Sequence, residues 1–338
     1  MARVGISGFG RISRVVMRAA LGMEDIEIAG INWRNADIDY VRYLLQYDST
    51  FGKFPEKVET YSDGLVIRGK KIPVFFNNDA KDIPWGDVGA DYVMEGTGVY
   101  NTTEKAQVHL DAGAKKVIIS APAKDKETPT FVYGVNHREY KSDMNVVSNA
   151  SCTTNCLAPV CKVLEDNWGI DQGLMSTIHA STAKQNVVDD RNNKDWRIGR
   201  SVFNNVIPTT TGAAKAVGLV IPEIAGKLTG LAYRVPTADV SVVDLNVMLK
   251  NPATVDDIFE AMHKAASEGD LKGVLEYVED PCVTMDFIGD AHTSIFDANM
   301  AIQLNDKFFK LIAYYDNEFG YSHKILELIR HMASVDNK

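Results

Sequence analysis

The chain has 338 residues, 45% of them apolar and 24% charged, which is too long for one ordinary core and apolar enough for two. A net charge of −9 excludes a general nucleic-acid binder while leaving room for a local basic pocket that takes a small anion. Four cysteines, with Cys152, Cys156 and Cys161 crowded together and Cys282 apart, are no disulfide framework. The start MARVGISGFG has none of the basic and apolar regions of a secretory signal, and no apolar run reaches the ~18 residues that nominate a membrane span. A cytoplasmic protein with reduced thiols and no membrane segment is expected.

In chain order, residues 3–7 read as a strand, 11–21 as a helix and 26–31 as the next strand. Short apolar runs at 92–94, 116–120 and 146–148 complete a series of strands separated by helical patterns. That pattern predicts βαβ units and a parallel sheet. The second half changes character. Residues 230–235 and 240–245 are longer alternating runs joined by a turn containing Pro236, which suits an antiparallel sheet. Residues 254–267 and 321–334 carry apolar positions at helical spacing. No repeat or low-complexity segment marks a linker, so a boundary is set near Ser151 by the change of pattern alone.

Gly8-Phe9-Gly10-Arg11-Ile12-Ser13 lies directly between the first strand and the first helix. Gly8 serves a tight turn, and Gly10 lets backbone approach a pyrophosphate at the helix N-terminus. Ser13 replaces the third glycine of that fingerprint with another small residue. An acidic residue that would hold the adenosine ribose is expected about ~20 residues further on. Asn32-Trp33-Arg34-Asn35 stands there instead, and Asp37 and Asp39 fall toward the next helix. Without that carboxylate the repulsion against a 2′-phosphate is gone, and Arg34 or Asn35 could pair with one. Arg34 reads equally well as a solvated loop charge. The cofactor expectation is therefore NAD or NADP.

Ser151 and its polar neighbours cap a helical run that places Cys152 at a helix N-terminus, where the positive end of the dipole favours a thiolate and lowers its pKa. Cys156, one turn on, and Cys161 read as buried thiols. No metal site is expected, because Cys152 and Cys156 lack a second pair of ligands at metal spacing. A nucleophilic Cys152 needs a base from elsewhere, and His179, in the hydroxyl-rich run 176–182, is the candidate; on spacing alone it reads more readily as structural.

SNASCTTNCLAP, HAST, PTTTGAAKAVG, GKLTGLAYRVPT and YDNEFGYS follow one another across the second half, with GFGRI at the start. With these motifs the chain resembles phosphorylating glyceraldehyde-3-phosphate dehydrogenases from end to end. The resemblance implies an α/β fold: a Rossmann-type dinucleotide-binding domain with a parallel sheet (1–151), an α/β catalytic domain with a mainly antiparallel sheet (152–317), and a C-terminal helix returning to the first domain (318–338). It implies Cys152 as nucleophile and His179 as general base. It places Ser151, Thr153, Thr182, Thr211, Gly212 and Arg234 at substrate and phosphate positions. Cofactor contacts fall on Gly8, Gly10, Arg11, Ile12, Asn32, Trp33, Arg34, Thr97, Ser120 and Asn317. The expected partners are glyceraldehyde 3-phosphate and inorganic phosphate, in a homotetramer whose interface loop resembles residues 184–205, with no dedicated nucleic-acid site. An erythrose 4-phosphate dehydrogenase on the same scaffold, or a non-catalytic binding role, are the alternatives.

Departures from the family's common NAD-type pattern cluster on the adenosine side: Ser13, Trp33-Arg34, Asn77-Asn78 and Gly96, where serine is usual. Lys184 replaces a common threonine near the substrate region.

Overall fold

The computed structural model describes residues 1–193 and 195–337, in two units. The first comprises residues 1–131, 137–150 and the chain from Ser322 onward. Its elements are β1 (Ala2–Ser7), α1 (Arg11–Ala20), β2 (Ile26–Asn32), α2 (Ile38–Gln46), β3 (Glu59–Tyr61), β4 (Gly64–Ile67), β5 (Lys70–Phe75), β6 (Tyr92–Glu95), α3 (Thr103–Asp111), β7 (Lys116–Ile119) and β8 (Val146–Ser148). They form a sheet of order β3-β4-β5-β2-β1-β6-β7-β8, parallel from β5 to β8. The strands of that core are apolar because helices cover them: β6 and β7 are buried at every position. The chain runs outward from β1 on one side and later on the other, so the carboxyl ends of β1, β2 and β6 flank a switch point, where open α/β sheets bind ligands. The antiparallel ribbon β3–β4–β5 went unread in the sequence. Its strands are short, and Glu59, Thr60, Lys70 and Lys71 are exposed, so hydrophobic alternation is weak there.

The second unit comprises residues 132–136 and 151–321. Its elements are α4 (Cys152–Asn167), β9 (Ile170–His179), β10 (Ile207–Thr210), α5 (Ala213–Val220), β11 (Leu228–Arg234), β12 (Ser241–Leu249), α6 (Val255–Ser267), β13 (Leu275–Val278), β14 (Ser294–Gln303) and β15 (Phe308–Tyr315). A last helix, α7 (Phe319–Asp336), starts in this unit and continues into the first. The sheet order is β10-β11-β9-β12-β15-β14-β13. It is mainly antiparallel, with parallel pairs at β11/β9 and β13/β14. The sequence reading joined β11 and β12 by a turn; in the structure β9 lies between them, paired parallel with β11 and antiparallel with β12. The pairing partner of an alternating strand is a long-range choice that its own pattern does not encode. α6 begins on a reciprocal cap, with Thr254 accepting from the amide of Asp257 and Asp257 accepting from that of Thr254. No described helix is long and apolar enough to cross a membrane.

Candidate active site and dinucleotide groove

In the first unit a groove of about 290 Å³ opens at the ends of β1, β2 and β6. Ser7, Gly8, Gly10, Asn32, Trp33, Arg34, Asn77, Gly96, Thr97 and Tyr100 are among its lining residues, and none of the lining residues is acidic. Gly8 has a φ of 84°, and a Cβ on it would stand 2.8 Å from Thr97 Cγ2. A side chain is excluded there on both counts. Gly10 is the N-cap of α1, has no capping side chain, and has nothing within 4 Å of its Cβ position. The amides of the first turn are thus left for an anion, and the open glycine leaves the space that a pyrophosphate needs.

Ser13 and Gly96 are one exchange. A Cβ on Gly96 would lie 2.6 Å from the buried Ser13 hydroxyl, so the serine that departs from the fingerprint occupies the room of the serine missing at 96. The Thr97 loop is held from behind. Glu95 accepts from the Thr97 amide (2.8 Å) and from its hydroxyl. Trp85 Nε1 donates to His109 Nδ1 (3.2 Å), which leaves the proton on Nε2 to reach Glu95 at 3.0 Å. All three of these supporting side chains are buried.

Not every expected cofactor residue lines this groove. Arg11 pairs with Asp48 and lies over the Phe51 ring, and neither it nor Ile12 is a lining residue. Ser120 is turned to the Glu95 carbonyl (2.9 Å). Asn32 spends its amide on the backbone of Asn77, donating to its carbonyl (3.2 Å) and accepting from its amide (3.0 Å). Trp33 packs on the protein's own rings, stacked on Tyr40 at 5.9 Å and tilted against Phe9 at 6.1 Å. Arg34 is exposed, in a turn where Asn35 takes a φ of 57°.

In the second unit Cys152 is the first residue of α4, and the Ser151 hydroxyl caps the helix by accepting from the Thr154 amide (3.1 Å). His179 ends β9. Its Nδ1 lies 2.8 Å from the Ala180 carbonyl, an acceptor only, so that nitrogen carries the proton. Nε2 is left as the acceptor for the Cys152 thiol at 3.5 Å. Tyr315 packs edge-on against His179, and its hydroxyl bridges Thr153 (2.8 Å) and Thr177 (2.9 Å). Arg234, at the end of β11, is the register partner of His179. Its buried Nη1 has no partner among the described residues.

The helix-terminus argument alone misjudged the thiol. Burial pushes the Cys152 thiol up, and the opposing pull of Arg234 and the first-turn amides does not outweigh it. Burial, helped by the Arg234 charge, brings His179 down to about 3. Each group alone therefore rests neutral. Moving the proton from sulfur to Nε2 creates both charges at once, side by side and next to the α4 N-terminus, which offsets what burial costs either one alone.

Of the other expected phosphate residues, the Thr153 hydroxyl faces Tyr315 and the thiol, and Thr182 lies in the turn after β9. Gly212 caps α5, with the Thr211 hydroxyl accepting from the Ala213 amide (3.2 Å). The Thr154 hydroxyl reaches the Ala213 carbonyl (3.3 Å), so the starts of α4 and α5 adjoin. Cys156 and Cys161 are buried, as expected, and burial pushes both thiols up. One further group of potential ligands is Glu276, Asp290 and His292, in which His292 Nδ1 is already bonded to Asp290 at 2.8 Å. Sequence reasoning missed the supporting residues Tyr315, Thr177, Ser241, Glu95 and His109. Tyr315 stood in a quoted motif and Thr177 in the hydroxyl-rich run around His179.

Residues 2–103 match the family model described as glyceraldehyde 3-phosphate dehydrogenase, NAD binding domain, and residues 151–317 match the C-terminal domain of the same enzyme. A glyceraldehyde-3-phosphate dehydrogenase of Danio rerio is 55% identical over 336 residues, covering 99% of this chain and all (100%) of the relative. One from Ogataea parapolymorpha is 55% identical over 99% of both chains. The cytosolic enzyme of Pinus sylvestris is 55% identical over 98% of both.

Proposed function

The chain belongs to the glyceraldehyde-3-phosphate dehydrogenase family, and on that premise we propose that Cys152 and His179 carry a phosphorylating oxidation of glyceraldehyde 3-phosphate. The observation that carries the reading is the thiol-to-Nε2 contact at 3.5 Å, with the tautomer of His179 fixed by the Ala180 carbonyl. The fit of a nicotinamide dinucleotide is supported by the open Gly8–Gly10 cradle.

Cys152 Sγ adds to the aldehyde carbon as its proton passes to His179 Nε2, and the proton moves on to the new hydroxyl, giving a hemithioacetal. The amide of Cys152 and the imidazole stabilise the developing oxyanion. His179 then removes the hydroxyl proton while the carbon gives up hydride. A nicotinamide dinucleotide held at the Gly8–Gly10 turn would supply the hydride acceptor. Inorganic phosphate attacks the resulting thioester, the Cys152 thiolate leaves, and an acyl phosphate is released. The unpartnered Arg234 donor offers a charged bond to the substrate phosphate, and the adjoining starts of α4 and α5 offer amides to the attacking phosphate.

On the adenosine side the groove has no carboxylate and one exposed arginine, which supports use of NADP beside NAD, with Arg34 at the 2′-phosphate. Asn317 would hold the nicotinamide carboxamide, its Oδ1 being already engaged by the Ser241 hydroxyl. Residues 1–151 act as the dinucleotide-binding domain, 152–317 as the catalytic domain and 318–338 as the returning helix. A homotetramer is supported by the exposed apolar residues Val187, Val188, Trp196, Phe203 and Val206 in the loop after β9, of which Val188 is 70% and Trp196 85% exposed. The relatives named cytosolic support a cytoplasmic location. Initial rates with NAD and NADP, each against the three-carbon and four-carbon aldehyde phosphates with inorganic phosphate, test the reading. A preference for erythrose 4-phosphate, or no turnover with any pair, would overturn it.

A further inference from the structure

Ser241 is the first residue of β12 and is fully buried. Its hydroxyl accepts from the Ala180 amide (3.0 Å) and donates to Asn317 Oδ1 (2.6 Å). A buried hydroxyl proton needs an acceptor, and Asn317 Oδ1 is the one within reach. The carbonyl side of the Asn317 amide is thereby turned inward and Nδ2 outward. The opposite orientation would leave the Ser241 proton without a partner.

Both ends of the bridge touch the proposed chemistry. Ala180 offers its amide to Ser241 and its carbonyl to His179 Nδ1. Asp316 fixes the backbone beside Asn317, accepting from the amides of Gly289 (2.8 Å), Glu318 (2.9 Å) and Phe319 (2.7 Å). The approach to Ser241 is strained: buried Val240, a β-branched residue, holds a φ of 59°. Such a conformation persists only where its surroundings impose it.

We propose that Ser241 is a positioning residue: it sets the polarity of the Asn317 amide so that Nδ2 faces outward as a donor to the nicotinamide carboxamide oxygen, and ties that amide to the peptide that orients His179. This rests on the reading of Asn317 given above. A fixed donor discriminates the carboxamide oxygen from its NH2 group. A freely turning amide spends half its orientations repelling it.

The test is equilibrium titration of NAD and NADP on the unreacted enzyme by fluorescence, across wild type, Ser241→Ala, Asn317→Ala and the double variant, with thermal unfolding measured alongside. Ser241→Ala should raise Kd by roughly five- to tenfold, the worth of one buried hydrogen bond. In the Asn317→Ala background the same change should raise Kd no further, while its effect on Tm persists. Alkylation of Cys152 by iodoacetamide in the cofactor-free protein should change less than Kd, since His179 keeps its own bond to the Ala180 carbonyl. If Ser241→Ala is too unstable to titrate, Ser241→Cys keeps nearly the same volume with a weak donor and should show a raised Kd. An unchanged Kd in these Ser241 variants, with Asn317→Ala weakened, overturns the inference alone, as does an equal further loss in the Asn317→Ala background. Wild-type binding by Asn317→Ala overturns the cofactor reading and the inference with it.

Discussion

The side chain of Ser13 stands where a Cβ on Gly96 would have to go, 2.6 Å from its hydroxyl oxygen. The Ser7 carbonyl, 3.2 Å from the same point, closes the other side. Two departures that look independent along the chain are one steric exchange behind the dinucleotide groove. Gly96→Ser alone should cost about 1–3 kcal/mol, the usual range for overpacking. Adding Ser13→Gly should recover most of it. Thermal unfolding of the two single variants and the double variant checks this, and strictly additive losses would contradict it.

His179 is expected to do more than hold a place. His179→Asn should slow the chemical step by roughly ~10²–10⁴-fold in single-turnover measurements, and Cys152→Ser should remove it while cofactor still binds. Without the imidazole the Cys152 sulfur keeps its raised pKa. Iodoacetamide should then alkylate Cys152 more slowly at neutral pH in His179→Asn than in wild type, with the rate climbing as pH rises. Equal rates at pH 7 would mean that the proton does not pass between the two side chains.

Arg234 presents a buried donor, Nη1, with no partner among the described residues. Arg234→Lys keeps the charge and loses the planar fork, so KM for the aldehyde phosphate should rise about ~10-fold or more, consistent with one charge-assisted bond. An unchanged KM would remove Arg234 from the phosphate site.

Asp239 gives a pH dependence of known sign. It is fully buried, and burial together with the charges of Asp316 and Glu318 raises its pKa to about 9. The folded protein therefore keeps a proton that the unfolded chain releases above its ordinary carboxylate value. The associated stability is complete below about pH 4 and is lost as pH rises toward 9, at up to about 1.4 kcal/mol per unit for one proton. Asp239→Asn retains the acceptor for the Val240 amide and should flatten the fall of Tm between pH 5 and 9. His179 acts in the opposite direction, since its lowered pKa costs stability as pH falls from about 6.5 toward 3. A wild-type slope retained in Asp239→Asn would assign the dependence to another group.

Trp33→Asp should place a carboxylate at the groove beside Arg34 and shift kcat/KM toward NAD, mainly by raising KM for NADP through repulsion of its 2′-phosphate. Because Trp33 stacks on Tyr40, a modest loss of Tm should accompany the change. Wild-type protein with no turnover of NADP at millimolar concentration would place the discrimination in other residues.

The parallel core of the first unit and the position of Cys152 were legible along the chain because both rest on local order. Buried parallel strands read as apolar runs, a glycine turn opens α1, and Ser151 caps α4 within its own motif. The ordered motifs also carried the family. Tertiary structure decided what depends on distant segments. It put β9 between β11 and β12, and so brought the end of β11, with Arg234, alongside His179. It turned Arg11 and Ser120 toward neighbours other than the groove, and stacked Trp33 on Tyr40 in the groove's wall. It also reversed the expected direction of the Cys152 shift, because the helix-terminus effect can be read locally whereas desolvation depends on everything that packs around the sulfur. Strand partners, hydrogen-bond tautomers and burial are properties of residues brought together from far apart, and spacing along one chain does not contain them.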